Sequence, residues 1–455
     1  MLENLAEFID AKKHRELKKF IAETNIIDLA GELEKLGKES RVIFFRMLPK
    51  DAAANVFSYL SLDTQEDLVG SLTDPEIGHI VNDLFLDDAV DFIEEMPSSV
   101  VKRVLRNASN ETRKQINYLL QYKDDSAGSI MTTEYVDLKE QMTVEKAFKR
   151  IREVGMDKET IYTCYVTDAS SILDGVVTVR ALLLAKDTDK IGDIMNTNFI
   201  AARTDDDREH VADLFQKYDL IALPVTDMNG YLVGIVTVDD AMEVLEEEST
   251  EDFHKFGGTE ELDVSYTRTP LLEMIKKRAG WLIILFLGEM MTASAMGHFN
   301  DAIAKAVVLA LFVPLIISSG GNSGSQAASL IIRSLALDEL RVKNWVDVLR
   351  KELLSGFLLG AVLGVIGFVR IVVWQKFGLY DYGEYWPWIG LSITISLICV
   401  VMWGTLSGSM VPILLKRIGL DPATASAPFV ATLVDVTGIV IYFSVAALLL
   451  SGKLL

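Results

Sequence analysis

The stretch PFVATLVDVTGIVIYFSVAALLL, Pro428 to Leu450, is long and apolar enough to cross a bilayer yet holds one charged residue, Asp435. About 20 mostly apolar residues make a spanning helix. Four further windows of that kind precede it, near 280–299, 305–332, 353–374 and 389–415, so five spans are expected. Lys276, Lys277 and Arg278 stand before the first window, Arg341, Lys343, Arg350 and Lys351 between the second and third, and Lys416 and Arg417 between the fourth and fifth. Basic flanks stay on the cytoplasmic side. The N-terminus is therefore expected in the cytosol and the C-terminus outside. The segment YDYGEYWPW, Tyr380 to Trp388, reads as an aromatic belt on the outer side.

Composition divides the chain. Residues 1–270 hold 54 Asp and Glu against 30 Lys and Arg, whereas residues 271–455 hold 11 against 14. An acidic soluble part thus precedes a membrane part. Its charge argues against nucleic acid as a partner and for cations as counter-ions. The charged first thirty residues contain no apolar core of a signal peptide. Two cysteines, Cys164 and Cys399, give neither a disulfide framework nor a CxxC metal site.

In the soluble part, residues 1–125 show short helical patterns broken by turn signals such as LPKD at Leu48 and LTDP at Leu72, which predicts a superhelix of small helices. Residues 126–248 contain a repeat. Ile130-Met131 recurs as Ile194-Met195, VTD at Val166 as VTD at Val225, and VVTV at Val176 as IVTV at Ile235. Alternating strands and helices in each copy resemble a tandem pair of cystathionine-β-synthase (CBS) domains. In the second copy Thr237 and Asp240 match the T-x-x-D pattern of adenosine-binding copies; in the first, Thr178 is followed by Ala181 in place of the acid. The pattern allows a nucleotide such as ATP in the second copy only.

From Asp239 to Asp252 the sequence DDAMEVLEEESTED sets Asp239, Glu243, Glu247 and Glu251 at i, i+4 spacing, with Asp240, Glu246, Glu248 and Asp252 beside them. Like charges at that spacing disfavour a helix by roughly 0.2–0.5 kcal/mol per pair. A solvated acidic face is the ordinary reading. Leading toward the first span, the stripe also reads as a joint screened by a hard divalent cation, which prefers oxygen ligands.

In the second span, PLIISSGGNSGSQAAS, Pro314 to Ser329, places Ser318, Asn322, Gln326 and Arg333 roughly on one face. Small-residue runs usually pack helices, but buried amides need partners, so Asn322 and Gln326 are expected to line a watery path. In the fifth span Ala431, Asp435, Gly438 and Tyr442 share a face. A charge at mid-bilayer costs about 2.5–3.5 kcal/mol on insertion scales and marks a pathway by default. Two Asp435 carboxylates meeting on a two-fold axis would match one divalent cation, which requires a homodimer.

These residues resemble the MgtE family of bacterial magnesium channels over nearly the whole chain. GGNSGSQAASLIIRSLA, Gly320 to Ala336, and DPATASAPFVATLVDVTGIVIYF, Asp421 to Phe443, carry the resemblance most specifically. It implies a multidomain membrane protein: a helical superhelical N-domain (1–125), α/β tandem CBS domains (126–248), a linking plug helix (249–275), and an all-α transmembrane domain of five helices (276–455). It further implies a homodimer in the bacterial inner membrane, with Asp435 as the ion-selecting acid near the backbone of Ala431. Cytosolic Mg2+ would close the pore through acids matching at Asp88, Asp91, Glu209, Asp219, Asp240, Glu243, Glu248, Glu251 and Asp252. Glu243 is longer than the Asp expected there, and Ala427 replaces a polar Asn.

The expected function is passive Mg2+ uptake driven by the membrane potential, which favours a divalent cation by about 4.6 kcal/mol per 100 mV. Co2+, Ni2+ and Mn2+ are alternative cargoes. Rival readings are a proton-coupled transporter and a membrane-anchored Mg2+- or nucleotide-sensing receptor, which would tolerate Leu at Asp435. An intramembrane hydrolase lacks support, since His298 is the one histidine of the membrane half.

Overall fold

The computed structural model describes residues 9, 14–262, 266, 267, 269–337 and 339–452, and divides into two compact units, Met1–Glu246 and Glu247–Leu455. The fold class is as expected, with a helical N-terminal region, two α/β repeats and a helical membrane region.

In the first unit short helices run from α1 (His14–Glu23) through α2 (Ile26–Glu34), α3 (Lys38–Phe45), α4 (Lys50–Ser58), α5 (Leu62–Ser71), α6 (Asp74–Asp83), α7 (Leu86–Glu94) and α8 (Ser98–Asn107) to α9 (Asn110–Leu119). Their starts follow local chemistry. Pro49 and Pro97 precede α4 and α8, where a proline costs no helical hydrogen bond. At α6, Thr73 and Glu76 form a capping box, with Pro75 in the first turn. Each helix buries a stripe, and Leu33, Phe44, Phe57, Leu68, Ile77 and Val90 are almost wholly enclosed in one continuous core.

The repeat folds as predicted. Strands β1 (Asp137–Lys139), β2 (Thr163–Thr167) and β3 (Leu173–Thr178) form one sheet, with α10 (Val144–Val154) between β1 and β2, then α11 (Val179–Leu184) and α12 (Ile191–Ile194). Strands β4 (Ala202–Arg203), β5 (Ala222–Thr226) and β6 (Leu232–Thr237) form the second, with α13 (Arg208–Tyr218) between β4 and β5. In both, the first pair is parallel and the second antiparallel. The shared apolar runs CYV and LPV are buried in these sheets.

The acidic helix α14 runs Val238–Phe256. It begins directly after β6 and stops earlier than the expected linking helix over 249–275. Gly257 and Gly258, the latter at φ 71°, end it, and the next helix starts only after Pro270. Residues 263–265 and 268 of that segment lie outside the described residues.

Among the described residues five helices are long and apolar enough to cross a membrane. They are α15 (Leu271–His298), then, after the short α16 (Asn300–Lys305) and α17 (Val307–Ala310), α18 (Val313–Ala336), α19 (Trp345–Lys376), α20 (Trp386–Arg417) and α21 (Ala427–Leu450). The second window is not one helix: Pro314 sits in the first turn of α18 and the chain restarts there. Helix α20 is the centre, packed against α18, α19 and α21. Glycines make this possible. Gly320 and Gly324 of α18 lie against Gly404 and Gly408 of α20, so closely that a Cβ at Gly408 would overlap the Gly324 carbonyl oxygen. Gly356, Gly360 and Gly364 of α19 receive Met402, Ile398 and Thr394 of α20 in the same way.

Candidate ion path and acidic cluster

Helices α18 and α21 present the expected membrane residues at one level. Gly321 faces Ala431 and Asp435, and a Cβ built on it would stand 3.6 Å from Asp435 Oδ1. Asp435 and Ala431 are half-buried. On α18 the small residues turn inward, while Ser318, Asn322, Gln326 and Arg333 are exposed on the protomer as one row. Asn322 Nδ2 donates to Ser318 Oγ at 3.3 Å, and Ser325 Oγ donates to the Ala427 carbonyl at 3.2 Å, pinning α18 to the start of α21. Arg333 follows Gly321 by about 18 Å of helix at 1.5 Å per residue, too far to pair with Asp435. The face expected for α21 divides: Ala431 and Asp435 look outward, whereas Gly438 is buried and Tyr442, 1% exposed, donates to the Leu309 carbonyl. A side chain the sequence reading passed over, Glu289 of α15, lies within hydrogen-bonding reach of Asp435. An acid inside the apolar run LFLGEMM was the available signal.

In the first unit, acids distant in sequence converge. Asp87, Asp88 and Asp91 come from α7, Glu134 and Glu159 from the first repeat, and Asp239, Asp240 and Glu243 from the start of α14. Glu134 accepts from the Leu86 backbone at 3.2 Å. Burial, then repulsion from Asp88, pushes Asp87 up to about 7; burial, then Asp240 and Glu243, pushes Asp88 up to about 7. Burial and the same two acids raise Asp91, which keeps a solvent-accessible edge. Glu159 is pushed to about 9 by burial and then Asp87, and its Oε2 is buried without a hydrogen-bond partner. Asp240 is raised by burial and Asp87 while accepting from Thr237 Oγ1 at 2.6 Å. Among the described residues no three His, Cys, Asp or Glu side chains are set to hold a metal ion. The cluster is a gathering of mutually repelling carboxyls, not a finished cage. Asp88, Asp91, Asp240 and Glu243 were expected here; Asp87, Glu134 and Glu159 were not.

The other expected residues stand apart. Glu209 and Asp219 are both exposed and occupy opposite ends of α13, with Asp219 in the left-handed conformation at its C-terminus. Glu251 and Asp252 lie in the last turns of α14, where Lys255 Nζ bridges Glu251 at 2.8 Å and Asp421 at 2.9 Å. Burial and then Asp421 raise Asp252. Glu248, half-buried, lies one turn earlier. Asp421 also caps the turn before α21 by accepting from Ala423 N at 2.8 Å. Thr237 and Asp240, the T-x-x-D pair, bond to each other at the start of α14, with Thr237 5% exposed.

Compared with known protein families, residues 313–445 match the MgtE divalent cation transporter domain, residues 24–125 the MgtE intracellular N domain, and residues 127–187 and 191–247 the CBS domain. The chain is 38% identical over 452 residues to the magnesium transporter MgtE of Thermus thermophilus, covering 99% of this chain and 98% of that one. It is 31% identical over 434 residues to the magnesium transporter MgtE of Bacillus subtilis, covering 92% and 94%. Among solved structures, the cytosolic domain of the Mg2+ channel MgtE in complex with ATP is similar at 36% identity and a TM-score of 0.51, covering 54% of this chain and 100% of that one. The soluble part of a magnesium transporter is similar at 30% identity and a TM-score of 0.52, covering 55% and 98%.

Proposed function

The chain belongs to the MgtE family of divalent cation transporters, and from that premise we propose that it carries Mg2+ across a membrane by a passive, potential-driven path past Asp435. The observation that carries this reading is the half-buried carboxylate of Asp435 beside Gly321, flanked by the exposed polar row Ser318, Asn322 and Gln326. A polar row on a membrane helix needs water or a partner. A second copy of the chain across a two-fold axis supplies both, enclosing a path between two α18 and two α21 helices. Mg2+ dehydrates reluctantly, so the carboxylates and the backbone at Ala431 would hold the ion with its water. Mn2+, Co2+ and Ni2+ share enough of this chemistry to compete.

The acidic cluster would serve as the sensor in this scheme. Cytosolic Mg2+ would draw Asp88, Asp91, Asp240 and Glu243 together and hold the path shut, with Glu248, Glu251 and Asp252 as further ligands near the membrane part. Low Mg2+ leaves the carboxyls repelling and the path open. Basic flanks support a cytosolic N-terminus and an outer C-terminus in a bacterial plasma membrane. The ATP complex of a related cytosolic domain supports an adenine nucleotide at the CBS pair near Thr237 and Asp240.

The test is Mg2+ current across membranes holding the purified protein, wild type and Asp435→Asn, as Mg2+ on the cytosolic side is raised. Wild type should conduct at low Mg2+ and close as it rises, and the variant should lose flux or selectivity. Conduction by Asp435→Asn indistinguishable from wild type sinks the reading, and flux that follows a pH gradient replaces passive entry with proton coupling.

A further inference from the structure

Helix α15 is the least covered of the five spans, with no residue of its apolar window buried inside the protomer. Its surface shows Leu282, Ile283, Phe286, Leu287 and Met290, all more than half exposed. Glu289 interrupts this apolar surface and is itself exposed. A carboxylate in that position is expensive unless it meets water, a cation or a partner.

The packing fixes what it meets. Gly288 lies against Thr432 of α21, and a Cβ there would stand 2.5 Å from Thr432 Cγ2, so a larger residue would have to displace that side chain. The contact sets the level of α15 on α21. Glu289 is next to Gly288, Asp435 is one turn beyond Thr432, and the two carboxyl groups are within hydrogen-bonding reach. The charged neighbour of Asp435 is therefore another acid; among the described residues neither is paired with a Lys, Arg or His. On the other side, Gly321 of α18 leaves Asp435 Oδ1 uncovered.

We propose that Glu289 is a specificity-determining residue of the transport path, a second carboxylate from the same protomer that faces the cation as it passes Asp435. The proposal rests on the reading of Asp435 as the ion-facing acid. Each added fixed charge attracts a divalent cation twice as strongly as a monovalent one. Mg2+ is commonly held through one or two carboxylates while keeping several waters, and Asp435 with Glu289 provides that complement. The second acid should thus lower the Mg2+ concentration needed to load the path and hold K+ out.

The test uses the full-length protein in liposomes with an entrapped Mg2+-sensitive dye, comparing wild type, Glu289→Gln, Glu289→Asp and Asp435→Asn over a range of external Mg2+ with and without K+. Glutamine keeps a hydrogen-bonding group and removes only the charge. Glu289→Gln should raise half-saturating Mg2+ about tenfold, equivalent to about 1.4 kcal/mol, and make uptake sensitive to K+. Glu289→Asp, which keeps the charge, should shift it less. Wild-type half-saturation and K+ insensitivity in Glu289→Gln overturn the proposal. So does a loss confined to maximal rate or protein yield in both Glu289 variants, which would mark a purely structural role. If Glu289→Gln does not fold, Glu289→Ala, which also removes the charge, decides: an unshifted half-saturation overturns the proposal. Should Asp435→Asn transport like wild type, the underlying reading fails instead, whereas an inactive Asp435→Asn beside a wild-type-like Glu289→Gln sinks this inference alone.

Discussion

Replacing Asp240 by Asn should make the soluble unit more stable in the absence of divalent cations and less responsive to their addition. Asp88 is pushed from 3.8 to about 7, which corresponds to about 4 kcal/mol disfavouring its charged form in the folded state. Burial is the largest single cause, and repulsion is divided among Asp240, Glu243 and Asp239, with Asp240 the largest of the three. With burial and three acids sharing the effect, one carboxylate is worth on the order of 1 kcal/mol after screening by solvent at the half-buried rim. Asn retains an oxygen to accept from Thr237, so the start of α14 stays capped. For the unit Met1–Glu246, about 1 kcal/mol corresponds to a melting shift of roughly 2–4 °C. The assay is thermal unfolding of residues 1–246 followed by far-UV circular dichroism at mildly alkaline pH, in EDTA and in saturating Mg2+. The variant should melt higher than wild type in EDTA and gain less from Mg2+. An unchanged or lower melting point in EDTA, with the full Mg2+ gain intact, refutes the repulsive-cluster account.

Two further outcomes follow from the same structure. Carboxyls raised in the folded state contribute stability that is full below their unfolded values near 4 and is lost as pH climbs through about 7 for Asp87 and Asp88 and about 9 for Glu159. The metal-free unit should therefore melt progressively lower across that window, and Mg2+ should flatten the slope; a melting point independent of pH in EDTA would contradict it. Gly408→Ala should cost at least about 2 kcal/mol, because its methyl overlaps the Gly324 carbonyl and backbone must shift. Gel filtration after heating should show the full-length variant aggregating first, and survival equal to wild type would mean the helices separate easily there.

The spans were legible because hydropathy needs no partner: a residue run crosses lipid on its own account. The break before α18 was hidden, since Val307 to Ile317 is apolar throughout and only Pro314 signals a restart. The two repeats were legible because both copies place like residues at the same strand positions, so Val166 and Val225 occupy equivalent places in β2 and β5. The acidic stripe of α14 was visible as a pattern, but its fate was not. Asp240 meets Asp87 and Glu159 through tertiary packing that no local spacing encodes. Glu209 and Asp219 show the converse, acids ten residues apart that the helix between them holds at opposite ends. Lys255, in the last turn of α14, binds Asp421, just before the helix that bears Asp435, a pairing no local spacing encodes.

The backbone contact of α18 with α20 has a mechanical side. Where Gly404 and Gly408 lie against the carbonyls of Gly320 and Gly324, backbone meets backbone with little side chain between to absorb a shift, so sliding or tilting one helix breaks the fit. The two helices are coupled as one stiff strut. In the path proposed above, widening at Asn322 would then come from displacement of α21 and α15 with loss of the Ser325–Ala427 hydrogen bond, or from the whole protomer turning as a body. On the proposed reading, the compliant half of the path lies with the helices carrying Asp435 and Glu289, and the rigid half with the one carrying the amides.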